Sequence, residues 1–260
     1  MSYRACTPCV LVVLLLVGGC GGDSSRVERA PEPEVRLGDT STPAPRGTKT
    51  ERTNTAGSRP PARPRRPAPV AVRPSIKQWP IPFPAARKRE TAQYSRRHYG
   101  VRTTTLEPRV IVQHYTVTPT AQATFDIFAR DQPDVELHEL PGLCSHFLID
   151  RDGTIFQLVP LTRICRHTVG LNRFAIGVEH VGRSDREVLG NRRQLTASLR
   201  LTGWLRCRYG IDVSDVIGHA ESLASPYHDE RVASLKRQTH RDFPQSSMRG
   251  YRARVAEREC

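Results

Sequence analysis

Thirteen of the 21 prolines in this 260-residue chain fall between residues 21 and 100, which confines a compact core largely to the C-terminal 160 residues. From Gly21 to about Arg87 the sequence is largely Pro, Arg, Thr, Ala and Gly, as in Arg59-Pro60-Pro61-Ala62-Arg63-Pro64-Arg65-Arg66-Pro67. Such a segment has too little apolar surface to offset its ordering entropy, and its prolines favour extended conformations. The formal net charge of +14 divides the same way: residues 21–100 carry +10, residues 101–260 only +3. The basicity therefore belongs to a solvated linker rather than to a nucleic-acid-binding fold, the alternative being a linker held weakly against anionic polymers or lipid headgroups.

Ahead of the linker stand one basic residue, Arg4, and an unbroken apolar run from Val10 to Val17. The run is a secretory leader, too short to span a bilayer. Val17-Gly18-Gly19-Cys20 resembles a bacterial lipobox, in which the cysteine thiol receives a diacylglycerol. The chain thus divides into a lipoprotein signal (1–19), a disordered linker with lipidated Cys20 (20–87) and one folded domain (88–260). Each acyl chain contributes about 0.8 kcal/mol per buried methylene, so a multiply acylated cysteine anchors stably. Gly21 after the cysteine resembles the outer-membrane sorting pattern, facing the periplasm where the host has one. Cys144, Cys165, Cys207 and Cys260 then remain, enough for two disulfides with three possible connectivities, and a Cys144–Cys165 pair would brace a hairpin. No CxxC spacing suggests a structural zinc site.

After about Lys88 the pattern changes to apolar runs separated by turns. Arg109 to Tyr115 reads as a buried strand, rich in β-branched residues. Thr118-Pro119 reads as an N-cap with proline at the first helical position, predicting a helix over Thr120 to Arg130. Residues 146–149 and 154–159 flank Asp150-Arg151-Asp152-Gly153, a hairpin with Asp-Gly where positive φ is needed. Phe174 to Val181 is a strand; Leu195, Leu199, Trp204 and Leu205 give a helix its apolar stripe, ended by Gly210; Asp215 to Gly218 is a short strand. This order implies an α/β domain with a central mixed β-sheet flanked by helices.

Eight of the nine histidines lie in the last 160 residues, more than an exported domain needs unless some bind metal or transfer protons. His114 and His219 each end a strand, where a sheet delivers side chains to a cleft. Glu179 on a third strand, and His240-Arg241-Asp242 after the last helix, complete a set from which two imidazoles and a carboxylate make a three-ligand zinc site with one position open.

The motifs Val112-Gln113-His114-Tyr115-Thr116, Ser145 to Pro160, Arg166-His167-Thr168-Val169-Gly170, Ala175-Ile176-Gly177-Val178-Glu179 and Ile217-Gly218-His219-Ala220-Glu221 together resemble the zinc-dependent N-acetylmuramoyl-L-alanine amidases of the type 2 family, relatives of phage T7 lysozyme and peptidoglycan recognition proteins. The resemblance covers roughly residues 95–245. It implies hydrolysis of the amide joining N-acetylmuramic acid to L-alanine of peptidoglycan stem peptides, in wall remodelling or recycling, by a monomer with peptidoglycan or muropeptides as its partner.

Carried over residue by residue, His114 and His219 match zinc ligands, and Glu179 matches the glutamate that faces the metal water. The family usually has Lys-x-Asp or Lys-x-Cys for the third ligand. Matching that spacing puts Asp242 on the zinc and His240 in the lysine's place as a catalytic donor; a competing register makes His240 the ligand. His167 and Asn172 resemble the loop lining the peptide groove and are candidate substrate contacts. Ser145 stands where some members have tyrosine, which leaves Glu179 as the principal base. The rivals are a non-catalytic peptidoglycan-binding lipoprotein of the same fold, an enzyme acting on another amide, and nucleic-acid binding by the linker.

Overall fold

A computed structural model describes residues 71–260; the expected leader, Cys20 and the linker through residue 70 lie outside the described residues. The centre is a six-stranded mixed sheet of strands β1 (Lys77–Gln78), β2 (Val110–Tyr115), β3 (Phe147–Ile149), β4 (Ile155–Gln157), β5 (Ala175–His180) and β6 (Val216–Gly218), in the spatial order β1-β4-β3-β5-β2-β6. Only the β3–β4 hairpin is antiparallel. Gly153, at φ 88°, closes that hairpin in a conformation a side chain would strain. β2 lies between two parallel neighbours, and a strand covered on both faces must be apolar throughout, which its Val-Ile-Val run is.

The alternation of side chains sorts the two layers. Ile111, Phe147, Ile149, Ile176 and Val178 face a core shared with helices α4 (Arg192–Tyr209) and α5 (Gln245–Ala256). Val110, Val112 and Leu148 face the other side, where α2 (Ala121–Ala129) contributes Ala121 and Phe128. A short α3 (Asp185–Gly190) leads into α4, and disulfides join Cys144 to Cys165 and Cys207 to Cys260. No helix among the described residues is long and apolar enough to cross a membrane.

Three sequence expectations are corrected. α2 is capped by Thr120, whose hydroxyl accepts the Ala123 N–H, so Thr118-Pro119 precedes the cap. A helix comes after His240-Arg241-Asp242: α5 buries only Met248, Tyr251 and Val255, a sparse stripe. Order also begins before residue 88. β1 pairs with β4, Ile81 is buried, and helix α1 spans Ala85–Tyr99. The buried residues of α1, including Arg87, Thr91, Tyr94, Ser95 and His98, recur at helical spacing but are mostly polar, so hydrophobic periodicity cannot reveal them.

Those polar residues hold the layer above the sheet. Arg87 is fully buried and donates to the carbonyls of Phe128, Gly142 and Leu143. His98, also buried, lies between Glu230 (2.7 Å from Nδ1) and Glu139 (3.1 Å from Nε2). Burial works against its charge, but the two carboxylates override it and raise its pKa above the ordinary value.

Leaving three buried carbonyls unpaired costs at least about 3 kcal/mol. Arg87→Ala should therefore lower the melting temperature by about 6–12 °C, and a chain begun at residue 88 should unfold earlier than one begun at 71; unchanged melting would refute both roles. Because the folded pKa of His98 is raised, its stabilisation is complete below about pH 6.5 and is lost as pH rises through the folded value. Unfolding free energy should accordingly decline on the alkaline side, with a shallower decline in His98→Gln; identical pH dependence in both proteins would refute the His98 assignment.

Candidate active site

The parallel register of β2 and β5 places His114 directly beside Glu179 on the face away from α4. His219 enters from the adjoining edge, as the first residue after β6, on a 3-10 turn (His219–Ala224). That turn is tied down by Glu221, which accepts the Gly218 N–H and forms a two-pronged ion pair with Arg252 of α5. Asp242 arrives on a separate segment whose carbonyl accepts the Ala220 N–H at 2.9 Å. This crossing is so tight that a Cβ on Gly218 would lie 1.8 Å from the Phe243 carbonyl oxygen. Phe243 itself sits at φ 52°, but its buried ring packs near Tyr115 and His180, so the core offsets the strain.

His114 Nδ1 is 3.0 Å from Asp242 Oδ2 and 3.1 Å from His219 Nδ1, and His219 Nδ1 is 3.4 Å from Asp242 Oδ1. The three residues are buried, with one donor atom from each within 4.8 Å of the others. The outer nitrogens define the proton positions. His167 Nε2 donates to the Ala175 carbonyl, which leaves its Nδ1 to accept from His114 Nε2 at 3.1 Å. Thr168 Oγ1 is a second neighbour of His114 Nε2, at 3.3 Å. With the His114 proton held on Nε2, its Nδ1 lone pair points at another imidazole nitrogen and a carboxylate. That donor set fits a divalent cation, and the outer hydrogen bond is the kind that orients a metal-binding histidine.

The electrostatics agree. Burial disfavours charge on Asp242, yet the adjoining His114 and His219 imidazoles hold its carboxyl well below the ordinary range. Burial pushes His219 down to about 4 and His167 well below its ordinary value. For His114 burial is outweighed by Asp242 and the nearby Glu179 charge, which raise its pKa. Burial pushes Glu179 up to about 7, and its Oε2 has no hydrogen-bond partner. A carboxyl that exchanges its proton near neutrality is suited to general-base work.

These groups open into a cleft of about 630 Å³. Its lining includes the apolar Val117, Ile127, Phe128 and Leu143 and the polar Thr239, His240 and Arg241. His240 is not in the donor cluster. Its half-exposed ring stacks on His219 with centroids 4.7 Å apart, and Nε2 donates to Glu136 Oε2 at 2.9 Å, bridging the cleft mouth. Glu136 lies in an exposed loop with no patterning that singles it out, so the sequence offered no signal for it. Arg166 fixes that loop through Asp134 and the carbonyls of Pro141 and Glu139.

His167 lines the cleft, whereas Asn172, the other candidate substrate contact, is not among the lining residues. Asn172 is fully buried; its Oδ1 accepts from the backbone of His167 and Thr168 and its Nδ2 donates to Tyr94, so its amide holds the loop. His146 and His180 are core residues bonded to Arg163 and Gly177, and to His114 O and Ser198.

Fold and cleft together define an α/β protein with a buried two-histidine, one-aspartate cation site beside a carboxyl of raised pKa. The chain belongs to the N-acetylmuramoyl-L-alanine amidase family, whose model matches residues 104–240. Among solved structures it is similar to the endolysin N-acetylmuramoyl-L-alanine amidase LysCS from Clostridium intestinale URNW, at 21% identity over 69% of this chain and 96% of that one, with a TM-score of 0.41. It is also similar to AmiD from E. coli, solved with the substrate anhydro-N-acetylmuramic acid-L-Ala-D-gamma-Glu-L-Lys, at 23% identity over 44% of this chain and 49% of that one, with a TM-score of 0.36. No curated protein matches the chain.

Gly218→Ala should displace the Asp242 segment, lowering both bound metal per chain and melting temperature. A variant with full metal content and native stability would show that the crossing tolerates a side chain.

Proposed function

We propose that the protein is a zinc-dependent amidase that hydrolyses the bond between N-acetylmuramic acid and L-alanine of peptidoglycan stem peptides. The observation that carries this reading is the convergence of His114 Nδ1, His219 Nδ1 and the Asp242 carboxylate beside Glu179, in a chain of the amidase family. His114, His219 and Asp242 would hold the zinc, which when bound supplies Lewis-acid polarisation and lowers the pKa of water towards about 7.

The protein's own groups account for the proton transfers. Glu179, with a partnerless oxygen and a pKa near 7, takes the proton of the attacking water and delivers it to the departing alanine nitrogen. His240 stands at the cleft rim, where a protonated imidazole donates to the oxygen that becomes negative as the carbonyl turns tetrahedral. His167 acts through His114, keeping the His114 proton on Nε2, and offers the stem peptide the edge of the same cleft.

In the cell we place this activity on the membrane through a lipid on Cys20, with residues 21–70 as the reach between anchor and wall. The lipobox-like Val17-Gly18-Gly19-Cys20 and the proline-rich composition support that placement. Remodelling or recycling of the wall by a monomer belongs to the same reading.

The test is mass spectrometry of products from purified peptidoglycan and from soluble muropeptides, with the full chain, with and without chelator. Stem peptides bearing a free L-alanine amine should appear only with metal present, and Glu179→Gln should reduce their rate by about 100-fold or more. Asp242→Ala should abolish stoichiometric metal. His240→Ala should keep the metal and lose about 100-fold in rate, as removal of one oxyanion donor does. Wall binding without release by a zinc-loaded protein would overturn the amidase reading.

A further inference from the structure

Val117 occupies a strained conformation that packing of its own side chain does not offset. It lies three residues after His114, at φ 57°, with its side chain 62% exposed. A β-branched residue in the left-handed region is a true outlier, because the branched Cβ crowds the backbone there. Phe243 shares that region of φ but is 1% exposed, so packing compensates it. Val117 has no comparable compensation.

The backbone is held in place from both sides. The Val117 N–H donates to the Gly182 carbonyl at 2.8 Å and the Thr116 N–H to the His180 carbonyl at 3.0 Å, extending the β2–β5 pairing. The Thr118 hydroxyl is 2.8 Å from that of Thr116 and 2.6 Å from that of Thr124, locking the exit towards α2. These bonds fix the turn at the cleft, whose lining also includes Ile127 (44% exposed) and Leu143 (38%). Three of the exposed large aliphatic residues thus line the cleft that holds His114 and Glu179. Asparagine or glycine would take the turn with less strain, so the backbone does not call for valine. Strain of this kind persists where a ligand uses it.

We propose that Val117, with Ile127 and Leu143, is a specificity-determining contact for a methyl group next to the cleaved amide. The inference rests on the amidase reading and deepens it. Two methyl groups flank that bond: the alanine side chain on the amine side and the lactyl methyl on the acyl side. Both present the same chemistry to an aliphatic wall, and losing one methyl from a hydrophobic pocket typically changes kcat/KM by about 10-fold or more.

The experiment compares three soluble muropeptides with the metal-loaded full chain: the parent, one with glycine for L-alanine, and one with a glycolyl for the lactyl group. The native protein should favour the parent over one of the two by about 10-fold. That preference identifies which methyl is read. Val117→Asn should shrink it to about 2-fold or less, and Val117→Ile should retain it. Metal content should be unchanged in both variants. Because asparagine tolerates the left-handed region, Val117→Asn should also raise the melting temperature by about 2–4 °C. A more stable but less discriminating variant is the expected signature. Equal discrimination in the native protein and Val117→Asn, or a lower melting temperature in Val117→Asn, would overturn the proposal. Failure of the native chain to cleave the parent would overturn the amidase reading, and this proposal with it.

Discussion

The parallel pairing of β2 with β5 is the constraint on which the site depends. Its register sets His114 opposite Glu179 and, at the same time, Ile111 opposite Ile176 on the buried α4 face. Side chains alternate with period two, so a slip of one residue would send Glu179 into the apolar layer and Val178 into the cleft. The core therefore selects the register, and the catalytic geometry is its consequence. The partnerless oxygen of Glu179 has a similar origin. It sits on a strand whose neighbours must be apolar, and that burial raises its pKa.

A second set of buried contacts is polar. Arg87, Arg166, His98 and Asn172 are buried, yet each directs its hydrogen-bonding groups at loop backbone or at carboxylates within the layer above the sheet. Loops have few apolar residues with which to form a core, so they need such partners to keep one conformation. The consequence for chemistry is indirect but physical. Asn172 holds the backbone of His167 and Thr168, and these two side chains fix the tautomer of His114. A residue with no access to substrate thereby governs which nitrogen of His114 is free to bind a cation.

Legibility in the sequence depended on the source of each element's stability. β2, β5, β6, the hairpin and α4 are held by apolar runs or stripes, and each was readable from its pattern. His114 and His219 stand at or just after strand ends, so their convergence could be anticipated from the strands alone. α1 was invisible because its buried face is polar, and the cap of α2 moved by two residues because Thr118 and Thr120 are chemically equivalent candidates until the hydroxyl of Thr120 is seen to accept Ala123 N–H. Asn172 shows the limit most plainly. Its place in a motif indicates that an amide is needed, while the direction of the amide depends on Tyr94, some 78 residues earlier in the chain. The competing registers for the last donor separate for a similar reason. Gly218 admits the Asp242-Phe243 backbone at a distance no other residue allows, which brings Asp242, rather than His240, against the two histidines.

The two strained residues beside the site show how the fold distributes cost. Phe243 turns the chain immediately after Asp242 and buries a large ring in the same step, so conformational strain and hydrophobic gain oppose each other within one residue. Val117 turns the chain after His114 and buries little, so the strain remains in the free protein. The Val117 N–H bond to the Gly182 carbonyl and the hydroxyl contacts of Thr118 with Thr116 and Thr124 keep the turn from relaxing. A turn so fixed cannot move aside to accommodate a ligand; the ligand must conform to it. Rigid presentation of a small apolar surface lowers the ordering required on binding and sharpens discrimination by size. The cleft mouth is built differently, with exposed His240 meeting Glu136 through a single ion pair. A fixed apolar turn and an exposed polar pair thus border the same cleft, the first suited to discriminating by shape and the second to meeting charge as it develops at the carbonyl.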